Sequence, residues 1–137
     1  MHRFSCRALL LSIAILAMGA CSNNNPIVPT PPSGPVTDTY SGTLSKNGAF
    51  THAFSISSLG SITASIVSLA PNVSQIVGFQ LGVWNGTSCT ASSSTDVATT
   101  GSSITLTASS AGIVCVRLYD VGFVDTPVLY QLQVVHP

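Results

Sequence analysis

From residue 37 onward, no stretch of this 137-residue chain sustains a helical period. Apolar residues instead alternate with Ser, Thr and other polar residues in short runs, and turn residues interrupt them about every 8–12 positions. A period of two sends successive side chains to opposite faces of a pleated strand, so each run can bury only one face. Regularly punctuated runs of this kind predict an all-β fold of two packed antiparallel sheets, a β-sandwich of about eight strands.

The first run covers 38–45 and closes on Lys46-Asn47-Gly48, whose Asn-Gly pair predicts a tight hairpin. In 49–57, Phe50, His52, Phe54 and Ile56 share a face; in 61–69, Ile62, Ala64 and Ile66 do. The run 76–84 points Val77, Phe79, Leu81 and Val83 inward and Gly78, Gln80 and Gly82 outward. A turn at Asn85-Gly86-Thr87 leads into a Ser/Thr-rich crossing that begins at Cys89. Runs at 103–108, 112–119 and 128–136 complete the set, with Ile104, Leu106, Val114, Val116, Leu118, Val128, Tyr130, Leu132 and Val134 as the inward residues. We find no internal repeat.

The N-terminus reads differently. Arg3 and Arg7 precede a short apolar or small run, 8–20, which is the pattern of a secretory signal. Thirteen residues are too few to cross a bilayer, which takes about 20. Met18-Gly19-Ala20-Cys21 resembles the lipobox of bacterial lipoproteins, although Met18 stands where that motif usually has Leu, Val or Ile. The resemblance implies cleavage before Cys21 and acylation of its thiol, hence a membrane anchor; the alternative is an ordinary cleaved signal with an incidental Cys. Ser22 after the Cys resembles the pattern sent to the outer membrane of the bacterial envelope. Residues 21–36 then carry five Pro (Pro26, Pro29, Pro31, Pro32 and Pro35), which predicts an extended tether. The expected organisation is a signal at 1–20, a lipidated tether at 21–36 and a β-domain at 37–137.

Composition narrows the functions. Four Lys plus Arg and four Asp, with no Glu, leave too few cations for nucleic acid and few groups for acid/base chemistry. The expectation is a non-enzymatic protein without a nucleic-acid partner. Once Cys6 leaves with the signal and Cys21 carries lipid, Cys89 and Cys115 remain as a pair, suited to a disulfide in an exported protein; two buried thiols are the alternative.

Several segments resemble bacterial pre-peptidase C-terminal domains. Tyr40-Ser41-Gly42-Thr43-Leu44, the aromatic-rich Phe50-Thr51-His52-Ala53-Phe54-Ser55-Ile56 and the alternating Ser61-Ile62-Thr63-Ala64-Ser65-Ile66 are similar to that family's opening strands. Phe79-Gln80-Leu81-Gly82-Val83-Trp84, the stretch from Ala111 to Asp120, and Tyr130-Gln131-Leu132-Gln133-Val134 are similar to its later ones. The resemblance implies a jelly-roll-like sandwich without catalysis, used for adhesion or for contact with polysaccharide or protein. A lipid tether stands here where the family has a peptidase, so a helper role for an attached enzyme does not follow.

The candidate ligand-binding residues are Trp84, Asn85 and Tyr119, because exposed aromatics beside amides stack on sugar rings and hold hydroxyls; Trp84 capping the core is the plainer alternative. Asp120 and Asp125 flank a loop and are the candidates for calcium, although Asp also favours turns for backbone reasons. No catalytic residues and no cofactor are otherwise expected. A hydrolase would have to use His52, since the other mature His, His136, is the penultimate residue. A structural envelope component that packs on itself or on a larger complex is the remaining alternative.

Overall fold

The computed structural model describes residues 34–137. The signal segment, Cys21 and most of the tether lie outside the described residues. Eight strands follow in order: β1 (Val36–Leu44), β2 (Ala49–Ile56), β3 (Gly60–Ala70), β4 (Val77–Trp84), β5 (Cys89–Ala98), β6 (Ser103–Ala108), β7 (Gly112–Tyr119) and β8 (Val128–His136). They form two four-stranded antiparallel sheets, ordered β1-β8-β3-β6 and β2-β7-β4-β5. That pair of orders is the jelly roll, two Greek keys laid face to face.

The core is the sum of the inward rows. Leu44, Ile62, Ala64, Val77, Phe79, Leu81, Val116, Leu118, Leu132 and Val134 are fully buried, and Ile66, Leu69, Val124 and Val128 nearly so. Each fully buried aliphatic side chain contributes about 1.5–3 kcal/mol relative to exposure. A bulge at Val67, where Ile66 pairs with Leu132 and Ser68 with Gln131, turns Val67 out and brings Leu69 back into the core.

Two expectations from the sequence need correction. Lys46-Asn47-Gly48 is a tight reversal, with Asn47 at φ 56° and the Gly48 N–H donating to the Ser45 carbonyl at 2.9 Å. It does not make a hairpin, because β1 pairs with β8 and β2 with β7, so the turn carries the chain from one sheet to the other. The outward row of β4 is also covered rather than open. The Tyr119 ring fills the space over Gly78, and Gln80 Nε2 donates to the Cys89 carbonyl at 2.8 Å. A Cβ on Gly82 would lie against the Thr90 carbonyl oxygen, so the start of β5 folds across the outer side of β4.

The antiparallel registers place three loops at one pole, those joining β2 to β3, β4 to β5 and β6 to β7, together with the start of β1 and the end of β8. The other four loops gather at the opposite pole.

Candidate functional site

The sandwich gapes at the first of these poles. Ser93 and Thr95 pair with Leu81 and Phe79, so the inner row of β5 is polar and cannot extend the core beneath β6. An extra residue at Ser92 bends β5 further, since Leu81 pairs with Ser93 and Gly82 with Ala91. At this pole lies an open cleft of about 640 Å³, with Ile56, Val83, Leu106, Ala108, Ile113 and Val114 along its walls. Val83 corrects the sequence expectation: its partner Val114 is buried, but Val83 itself is 51 % exposed because the opposing sheet stops short of it. No charged side chain lines the cleft; Asn85, Ser92, Thr107, Ser109 and Ser110 are its polar lining residues.

Trp84 stands at the rim of this cleft and also borders a smaller hollow of about 300 Å³ shared with Thr51, Thr87, Ser88 and Arg117. It is half-buried. Asn85 lies beside it but is occupied in building the turn. Its Oδ1 accepts from the Thr87 and Ser88 N–H groups at 2.9 and 2.8 Å, and its Nδ2 donates to Ser88 Oγ at 2.9 Å. Gly86, at φ 97°, supplies the left-handed residue that this turn requires. The turn is clamped from below by a disulfide between Cys89 and Cys115, whose Cα atoms are 5.8 Å apart. Because β4 lies between β5 and β7 in the sheet, that bridge ties the Trp84 turn across its neighbour.

Tyr119 is not part of this site. It pairs with Gly78 at the other end of β4, its hydroxyl donates to Asp96, and the Arg117 guanidinium sits 5.2 Å from its ring centroid. Burial first, and then the neighbouring Asp96, push the Tyr119 hydroxyl pKa up. Trp84 and Tyr119 therefore serve opposite ends of one strand.

Asp120 and Asp125 are held apart by different partners. Asp120 Oδ1 accepts from the N–H groups of Gly122, Phe123 and Val124 at 2.7, 3.0 and 3.1 Å, and its Oδ2 accepts from Asn47 N–H at 2.8 Å. Slight burial would raise its pKa, but these four donors outweigh that and hold it below the usual carboxylate range. Asp125 forms an exposed ion pair with Lys46 at 3.1 Å. Among the described residues, no three His, Cys, Asp or Glu side chains gather as metal ligands would.

His52 belongs to an aromatic cluster that fills the β1/β2 side of the sandwich. Its Nε2 is hydrogen-bonded to the Tyr130 hydroxyl at 2.9 Å, and its ring stacks on Tyr40 with centroids 4.6 Å apart. Burial lowers its pKa from 6.5. Tyr40 donates to Asp38 at 3.2 Å, and burial followed by that carboxylate pushes the Tyr40 pKa up to about 12. His136 Nε2 reaches the same Asp38 oxygen at 3.2 Å, and its ring lies 5.1 Å from Phe54. Among the described residues, the side-chain partner of His52 is thus a tyrosine and not a serine nucleophile.

Trp84 and Asn85 stand out in the sequence, whereas the exposure of Val83 and Ile113 does not; Leu106 is partly buried against the core, the side on which alternation puts it. The available signal for Ile113 is parity, since it falls on the row opposite Val114 and Val116. No protein-family model matches the chain, and no curated protein matches it.

Proposed function

We propose that this protein is a non-enzymatic lipoprotein of the bacterial envelope, anchored through Cys21, whose sandwich binds an uncharged partner at the Trp84 pole. The observation that carries the reading is the cleft itself. It is open, apolar along its walls, hydroxyl-bearing at its rim and free of charged side chains. Its volume of about 640 Å³ falls within the usual span of ligand sites, roughly 300–1,000 Å³. Burying a charge without a partner is costly, so a charge-free cleft favours a neutral occupant such as a polysaccharide or an apolar protein segment. The lipobox-like Cys21 and the Pro-rich tether support the anchored placement, and the resemblance to pre-peptidase C-terminal domains supports a binding role without catalysis.

The test is the thermal melt of the full chain in detergent, alone and with neutral polysaccharides, and with calcium or chelator as controls. A ligand at 100 times its dissociation constant stabilises by about 2.7 kcal/mol, a shift of several degrees in a domain of this size. The reading expects a rise with an uncharged ligand that disappears in Ile113→Asp, and none with calcium. A shift that survives Ile113→Asp, or one produced by calcium, contradicts it.

A further inference from the structure

The two poles differ in charge. The pole opposite the cleft holds Lys46, Asp96, Asp120 and Asp125 among its exposed apolar residues Val73, Val97, Phe123 and Leu129. The cleft pole carries no charged side chain in its three loops, which read Ser57-Ser58-Leu59, Asn85-Gly86-Thr87-Ser88 and Ser109-Ser110-Ala111. Leu59 there is 70 % exposed, Ile113 49 % and Val36 44 %. The nearest ionisable groups are already engaged: Asp38 with His136 and Tyr40, and Arg117 over the Tyr119 ring. The chain enters the domain at Val36, at this same pole, since Val36 pairs with His136 and β3 starts alongside at Gly60. Only residues 22–35 lie between Cys21 and Val36.

We infer that this charge-free pole seats on the surface of the lipid layer that holds Cys21, with Leu59, Ile113 and Trp84 at the headgroup boundary. The inference rests on the anchored reading above and names its partner. Three observations converge on it. The pole presents apolar side chains and the sole Trp, a residue suited to membrane interfaces because one end is apolar and the other polar. No charged side chain of the three loops must leave water when it docks. The short tether starts where the pole is, so the domain stays within reach of the surface. Because the loops hold no cation and Arg117 is engaged over the Tyr119 ring, attraction to anionic lipid contributes little, and contact should be nearly the same on neutral and anionic bilayers and at low and high salt.

The sole Trp makes the test direct. The full chain, acylated in a lipoprotein-processing bacterium, is reconstituted into phosphatidylcholine vesicles, some with phosphatidylcholine brominated on the acyl chains and some with added phosphatidylglycerol. The expected result is quenching of Trp84 by the bromolipid, shielding from acrylamide, and no change with phosphatidylglycerol or salt. Leu59→Asp and Ile113→Asp should lose the bromolipid quenching while staying vesicle-bound, and Phe123→Asp at the opposite pole should retain it. A vesicle-bound chain whose Trp84 is not quenched by bromolipid overturns the inference and leaves anchoring intact. Shielding from acrylamide without bromolipid quenching overturns it in favour of a protein or glycan occupant. Quenching that depends on phosphatidylglycerol overturns it as well. A chain that is not retained on vesicles at all overturns the anchored reading and the inference with it.

Discussion

His52 and Tyr130, 78 positions apart in sequence, join the two sheets through a hydrogen bond of 2.9 Å. Gly42 makes this possible. It pairs with Tyr130 on the neighbouring strand, and the tyrosine ring occupies the space where its Cβ would stand. The bond and the stack on Tyr40 keep the His52 ring half-buried, which favours its neutral form.

A pH prediction follows from the sign of that shift. The folded-state pKa of His52 lies below 6.5, so the unfolded chain takes up this proton more readily. The stabilisation is complete above 6.5 and is lost as pH falls through that value toward the folded one. Melting temperatures should therefore decline from neutral pH to about pH 5 in the parent chain. His52→Phe keeps a ring against Tyr40 and removes the titration, so its decline should be shallower. Parallel curves would show that His52 is not responsible.

Gly82 tests how β5 lies on β4. A methyl group there meets the Thr90 carbonyl carbon and oxygen, which are backbone and cannot rotate away. Gly82→Ala should cost about 1–3 kcal/mol in urea unfolding, the usual penalty for forcing atoms into a filled space. Gly112→Ala is the control. Nothing lies within 4 Å of the point where its methyl group would stand. That change should be neutral or stabilising by about 0.5–1 kcal/mol, because alanine loses less backbone entropy in a strand.

The Cys89–Cys115 bridge should matter most to the unfolded chain. It closes a segment with a sequence separation of 26. The loop-entropy estimate for its loss is about 3–4 kcal/mol. Replacing both cysteines with serine should lower urea-unfolding stability by roughly that amount. The Trp84 turn should also loosen, seen as faster amide exchange at Thr87 and Ser88. Unchanged exchange there would mean the turn is held by Asn85 alone.

Asp120 fastens the β7–β8 loop to the β1–β2 turn through its four backbone donors. Its pKa is depressed, so its contribution is present above the normal carboxylate pKa and is lost as pH falls below it. Asp120→Asn should destabilise at neutral pH by about 1 kcal/mol, because the amide Nδ2 cannot accept the Asn47 N–H and one hydrogen bond is lost. At acid pH the gap between variant and parent should narrow. A gap that stays constant with pH would contradict the assignment.

Much of this fold is legible in the sequence, and the failures are physically specific. Alternation locates seven of the eight strands within a few residues, because inward rows such as Ile62, Ala64 and Ile66 have no other stable placement, whereas β5 reads only as a Ser/Thr-rich crossing from Cys89. Alternation says nothing of which strand lies beside which. The Asn47-Gly48 turn therefore reads as a hairpin when it links two sheets. The bulges at Val67 and Ser92 are single extra residues, visible only once partners are known. The candidate site is half legible. Trp84 and Asn85 stand out from chemistry alone, whereas the cleft beside them depends on which strand ends meet at that pole, which alternation does not give. Tyr119 groups with Trp84 in the sequence because alternation fixes a side chain's face but not its distance from another strand's end.

If the cleft pole is the surface this protein uses, site-specific photo-crosslinking in the intact envelope should capture its partner there. A photoreactive residue would replace Ile113 at the cleft pole in one full-length chain and Val97 at the opposite pole in another, both exposed positions. Strong adducts are expected from Ile113 and few from Val97. Equal yields from the two positions, or adducts mainly from Val97, would contradict it.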